Sequence, residues 1–109
     1  LLSWGAATYD ALYNLQLLLH TSTGENTGFG DSNYGRYSNP KMDELIKKIG
    51  VESDMRKRDA LIRDALALSA SEVAILPIHQ PLVPWAMRKN VEAVFAPNNI
   101  AYFFRFKLN

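Results

Sequence analysis

The stretch "GRYSNPKMDELIKKI", residues 35–49, passes from a loop of glycine, aromatic and amide residues straight into an amphipathic helix. Asn39 offers a short acceptor that can cap free helix N–H groups. Pro40 suits the first helical position, where no N–H is needed. Met42, Leu45, Ile46 and Ile49 then occur at spacings of 3, 1 and 3, which puts them on one face. Gly50 is expected to take the left-handed cap that stops the helix.

Downstream, "VESD" links to "DMRKRDALIRDALALSASE", residues 54–72, the strongest helical pattern in the chain. Met55, Leu61, Ile62, Ala65, Leu66 and Leu68 share a face, and Asp54–Arg58 and Asp59–Arg63 are favourable i,i+4 pairs. Arg58 points among Met55, Ile62, Ala65 and Leu68, so it is expected to snorkel or to pair with a carboxylate or carbonyls. "VAILPIHQP" reads as a strand that is an edge or ends at Pro77 and Pro81. "VPWAMRKNVEAVFAP" suggests two short strands around "RKN", and "IAYFFRFKL" a terminal strand.

Upstream, residues 21–38, "TSTGENTGFGDSNYGRYS", carry Gly24, Gly28, Gly30 and Gly35. The segment is too long for an idle connection and is a candidate binding loop. "TYDALYNLQLLLH", residues 8–20, reads as a helix capped by Thr8, with Tyr9, Leu12, Tyr13, Leu15, Gln16 and Leu19 on one side. "LLSW" reads as a short buried strand entered midway, as in a fragment of a longer chain. The class is α+β, with helices in the first two-thirds and strands at both ends.

A chain of 109 residues fits one domain or a piece of one, and at this size roughly two-thirds of the unfolded surface can be buried. Twelve basic against eleven acidic residues give a net charge of +1, which makes no electrostatic case for a nucleic-acid partner. Cysteine is absent, which removes disulfides, thiol catalysis and cysteine-ligated zinc. No apolar run approaches the length needed to span a bilayer. The opening residues lack the basic region of a signal peptide.

Few constellations carry chemistry. His20, at a helix end, and His79, between strand and proline, lie far apart with no further ligands at metal-binding spacing, so structural or lining roles are expected. Ser69, Ser71 and Glu72 share a helix end without a nucleophile elbow. The glycines of "GENTGFG" and "GFGDSNYG" lack the Walker lysine and the strand–G-x-G-x-x-G–helix setting of a dinucleotide site. Beside Asn33, Tyr34 and Tyr37 they mark a loop that approaches something closely. The basic run 55–58 is interleaved with Asp54, Asp59 and Asp64 and reads as a solvated helix face. Trp4 and Trp85 suit either a core or an apolar wall for a ligand. Neither an enzyme nor a cofactor or metal site is expected.

In order, these motifs resemble the C-terminal region of family 5 solute-binding proteins, the extracytoplasmic receptors of ABC importers for dipeptides, oligopeptides, nickel and related solutes. The family pattern Y-x-N-P-x-x-D-x-L-I is matched by Tyr37, Asn39, Pro40, Asp43, Leu45 and Ile46. D-x-x-x-R-x-x-L is matched by Asp54, Arg58 and Leu61, and the x-P-I/L strand by Leu76, Pro77 and Ile78. The resemblance runs from about Trp4 to Arg88. It implies a fragment of a two-lobed periplasmic-binding-protein type II fold, mostly C-terminal lobe, with helices packed on a mixed sheet. Residues 1–88 would belong to that lobe, and residues 89–109 would be crossover strands returning toward the N-terminal lobe.

The resemblance also implies a function without covalent chemistry. A peptide or similar small solute bridges two lobes, and the closed receptor, periplasmic or membrane-anchored outside the cytoplasm, docks on the permease subunits. The ligand-binding positions it implies are Trp4, Gly5, Asn33, Tyr34, His79 and Gln80. Peptide-binding members carry an aspartate three residues after the tryptophan to hold the peptide amino terminus. Ala7 stands there, and Asp10 matches a different aspartate, so sugars, opines and other solutes remain open. A self-contained protein–protein interaction module, using Trp85 and the "AYFFRF" strand, is the competing reading. The apolar ends also lead to an expectation that the isolated chain self-associates.

Overall fold

In the computed structural model, every residue is described except Ala6, Glu25, Pro81 and residues 96–99. Three helices, α1 (Ala11–Leu18), α2 (Pro40–Val51) and α3 (Met55–Ser71), precede two short strands, β1 (Val91–Glu92) and β2 (Lys107–Leu108), with a 3₁₀ turn at Phe103–Arg105. The architecture is α+β. The chain forms two units. One, the helical unit, is Thr8–Pro77; the other, the terminal unit, joins Leu1–Ala7 to Ile78–Asn109.

The apolar face read from residues 42–49 organises the helical unit. Met42, Ile46 and Ile49 of α2 are fully buried, and they meet Leu15 and Leu19 from α1 and its cap and Ala65 from α3. Leu12, Leu45, Leu61, Ile62 and Leu68 pack around this centre. Each helix starts where a side chain takes over orphan N–H groups. Asp10 accepts from Leu12 N–H, Asn39 from Lys41 N–H, and Asp54 from both Arg56 and Lys57 N–H. Asn39 and Pro40 thus act as the sequence requires.

Several helix details depart from expectation, among them Met55 and Leu66, read on the apolar face of α3 yet exposed. α1 begins at Ala11 rather than at Thr8, because the Asp10 carboxylate outcompetes the hydroxyl as a cap; Thr8 Oγ1 instead accepts from Asp10 N–H at 3.4 Å. Tyr9, expected on the packed side, is exposed. Gly50 does not cap α2. It stays out of the left-handed region, and the helix runs to Val51, with Glu52 N–H bonded to the Lys48 carbonyl.

Arg58 behaves as its position among apolar neighbours demands. Its guanidinium donates to both oxygens of Asp10, at 2.9 and 2.8 Å, while its Nε donates to the Ile49 carbonyl at 3.2 Å. One side chain on α3 therefore ties down the α1 cap and the last turn of α2. Asp54 is occupied with capping, so the i,i+4 pair with Arg58 does not form. Among the described residues Asp59 and Arg63 form no ion pair either.

The terminal unit contains less regular structure than its sequence suggests. Val91 faces Leu108 and Glu92 faces Lys107 in a two-stranded antiparallel sheet, and Phe95 bridges Ala101. "LLSW" is not a strand, and Leu1 and Leu2 are exposed. The described residues of "VAILPIHQP" and those at 82–88 are likewise non-regular. A strand needs a partner ladder, and Pro77 and Pro84 remove donors from any such ladder. Pro81 lies outside the described residues. Aromatic contacts add to this ladder: Trp85 stacks on Phe95 at 4.5 Å, and Phe95 meets Phe106 edge-on at 5.9 Å.

Candidate functional site

The loop between α1 and α2 is fixed at three levels. First, it folds back on α1: Gly30 N–H reaches the Gln16 carbonyl at 2.8 Å, Ser32 N–H the Leu17 carbonyl at 3.0 Å, and Gln16 Nε2 the Gly28 carbonyl at 3.0 Å. A Cβ on Gly30 would lie 2.5 Å from the His20 carbonyl oxygen, so only glycine allows this approach. Second, Asn33 is buried and acts as a clamp. Its Nδ2 donates to the carbonyls of His20 and Tyr37, and its Oδ1 accepts from Tyr37 N–H. Third, Asp43 in the first turn of α2 accepts Thr21 N–H at 2.8 Å.

The end of α3 closes the same region. Glu72 accepts from the Tyr37 hydroxyl and, through both oxygens, from Asn39 Nδ2 at 2.8 and 2.9 Å. Burial, together with the bond to the Glu72 carboxylate as the next cause, pushes the Tyr37 phenol up to about 12. The Tyr37 bond, with Asn39 adding to it, holds Glu72 below its ordinary value. His20 is buried, with Nδ1 donating to the Thr21 carbonyl at 2.8 Å and its ring edge-on to Phe29 at 4.8 Å, which makes it part of the packing.

On the outside of this scaffold the loop surrounds a groove of about 570 Å³, walled by Thr21, Ser22, Thr23, Tyr34, Arg36 and Ser38 among others. Tyr34 is exposed. Of the positions implied for ligand binding, Asn33 and Tyr34 are thus successive residues of one loop with different surroundings: Asn33 shapes the loop, and Tyr34 faces out. The other four belong to the terminal unit. Trp4 is half-buried, Gly5 is exposed with open space where a Cβ would sit, and His79 and Gln80 are exposed outside any helix or strand.

Sequence reasoning missed the Tyr37–Asn39–Glu72 cluster, whose members lie up to 35 residues apart with no periodic signal, and it missed Arg36. Among the described residues no group of three His, Cys, Asp or Glu side chains gathers as a metal site, and no helix is long and apolar enough to cross a membrane. No known protein family, curated protein or solved structure matches the chain.

Proposed function

We propose that the chain is the C-terminal part of a family 5 solute receptor of an ABC importer, a non-enzymatic protein. In this reading, residues 1–88 belong to the C-terminal lobe of a two-lobed type II fold and residues 89–109 return toward the first lobe. A small solute or peptide is held between the lobes. Its higher affinity for the closed form shifts the population, and the closed receptor delivers it to the permease subunits outside the cytoplasm. The ligand positions of this reading are those the family resemblance implies, Trp4, Gly5, Asn33, Tyr34, His79 and Gln80.

The observation that supports the reading is that the motif positions of α2 and α3 coincide with residues that hold the helical unit together, whereas Leu76 and Ile78 of the third motif are exposed. Asn39 and Asp54 cap helices, Asp43 anchors the loop, Ile46 is buried at the centre, and Arg58 joins three helices.

The test is an immunoblot of fractionated source cells with an antibody raised against this chain. A band several times larger than 12.3 kDa in the periplasmic or membrane-attached fraction supports the receptor. A 12.3 kDa band in the cytoplasm overturns it. The competing interaction-module reading draws on the exposed Phe103 and Phe104, and that second result would favour it.

A further inference from the structure

We propose that the groove on the 21–38 loop is a binding site for a small hydroxylated carboxylate, with Arg36 as its anion-recognising residue. The inference stands on the helical unit alone and does not depend on the receptor reading.

The argument begins with backbone geometry. Arg36 has φ 53, in the left-handed region where a Cβ is crowded. The cause lies in the clamp beneath it: Asn33 holds both the N–H and the carbonyl of Tyr37, while Arg36 N–H bonds back to the Asn33 carbonyl at 3.1 Å. The chain must turn sharply at residue 36. Glycine satisfies such a turn without strain, and the same loop uses Gly24, Gly28 and Gly30 at φ 79, 83 and 70. At residue 36 it carries a long cation instead, although the neighbouring Gly35 stays out of the left-handed region.

Val73, outside the loop, is the other described non-glycine residue with positive φ, at 50. Among the described residues no carboxylate forms an ion pair with the Arg36 guanidinium. Arg36 is instead one of the residues that wall the 570 Å³ groove, together with Thr21, Ser22, Thr23, Ser38 and the exposed Tyr34. Thr21 and Ser38 are already mutually aligned, with their oxygens 3.0 Å apart.

Asp31 also lines the groove, but its charge is turned into the wall. Its Oδ2 accepts from Gly28 N–H at 2.9 Å and its Oδ1 is buried without a hydrogen-bond partner. Among the described residues the accessible chemistry is therefore one planar cation with five N–H donors beside several hydroxyl-bearing residues. That set matches a carboxylate held by the guanidinium fork, with hydroxyl groups on the same molecule exchanging hydrogen bonds with Thr and Ser.

The test uses the full chain with lactate, gluconate and glucuronate as probes and glucose as the uncharged control, read by saturation-transfer NMR and calorimetric titration. At least one carboxylate is expected to bind, with glucose at least tenfold weaker. Arg36→Gly should lose binding by tenfold or more while raising the Tm, because the strain leaves with the side chain. Arg36→Lys, which keeps the charge but not the fork, should bind several-fold more weakly than the native chain. The proposal is overturned if no probe binds, if Arg36→Gly binds as the native chain does, or if Arg36→Gly lowers the Tm, since Arg36 would then serve the fold.

Discussion

The helical unit and the terminal unit both carry many large apolar side chains, yet only one of them surrounds those side chains with its own chain. All six buried apolar residues among those described, Leu15, Leu19, Met42, Ile46, Ile49 and Ala65, lie in Thr8–Pro77. In the terminal unit Leu82, Phe103, Phe104 and Leu108 are largely exposed. The difference comes from the kind of element each sequence encodes. A helix satisfies its own backbone, so three short helices need only lay their apolar stripes together. Extended segments need a neighbouring ladder, and β1 and β2 supply only two residues each.

The comparison places the largest mutational costs in the helical unit. Met42→Ala empties a fully buried site at the centre of three helices and should lower stability by about 3 kcal/mol. Urea unfolding monitored by circular dichroism measures it; a loss under about 1 kcal/mol would mean that this core is loosely packed and the contrast is false. Gly30→Ala comes next, at roughly 2–3 kcal/mol, from left-handed strain plus collision with the His20 carbonyl and the Ser22 backbone. Gly28→Ala serves as its partner experiment. Gly28 has a similar φ but only a flexible Gln16 side-chain atom nearby at 3.7 Å, so roughly 1 kcal/mol is expected from strain alone. Equal losses at the two glycines would show that the loop relaxes away from α1 without penalty.

How much of this was legible varies with the range of the signal. The start of α2 could be read from Asn39 and Pro40, because a cap is chemistry between near neighbours. The need of Arg58 for a carboxylate or carbonyl was equally readable, since it sits on an apolar face. Its partner Asp10, 48 residues away, was not. Gly50 misled because a glycine permits a helix end without imposing one, and Val51 and Glu52 continue the hydrogen bonding past it. Most of the strand readings failed for a related reason, with only Val91–Glu92 and Lys107–Leu108 forming a ladder: alternation of apolar residues shows a face that wants covering and does not name the ladder that will pair with it. In the candidate site, Tyr34 was legible as an aromatic in a glycine-rich loop. Arg36 was not, because left-handed backbone at arginine leaves no trace in composition.

A smaller effect tests whether the helical unit depends on its long-range tie as well as on its core. The Arg58 guanidinium, with the Leu12 N–H bond next, holds the Asp10 carboxyl below its ordinary 3.8. A lowered native value means stability that is fully present above 3.8 and is lost as pH falls through the lowered value. The carboxylate is half-exposed, so screening limits the gain, and Asp10→Asn should cost about 1 kcal/mol at neutral pH. Unfolding measured for both chains from pH 7 down to pH 2.5 should show that gap closing below about pH 4. A gap that persists undiminished in acid would assign the effect to lost packing or capping rather than to charge.

The smallest effect on stability is expected in the terminal unit, where the comparison is most exposed to refutation. Phe103 is 76% exposed, and its contact with Phe106, at 5.3 Å between ring centres, covers little of it. Phe103→Ser should therefore change unfolding free energy by no more than about 0.5 kcal/mol. The same substitution should reduce self-association of the isolated chain, because a patch that the fold leaves uncovered is free to meet another copy. Sedimentation at rising concentration reads the second effect independently of the first. A destabilisation above about 2 kcal/mol would reveal a buried aromatic core in this unit. If instead stability is unchanged and the native chain stays monomeric at high concentration, exposure alone does not make this surface adhesive, and the basic side chains Arg105 and Lys107 beside it become the next residues to neutralise.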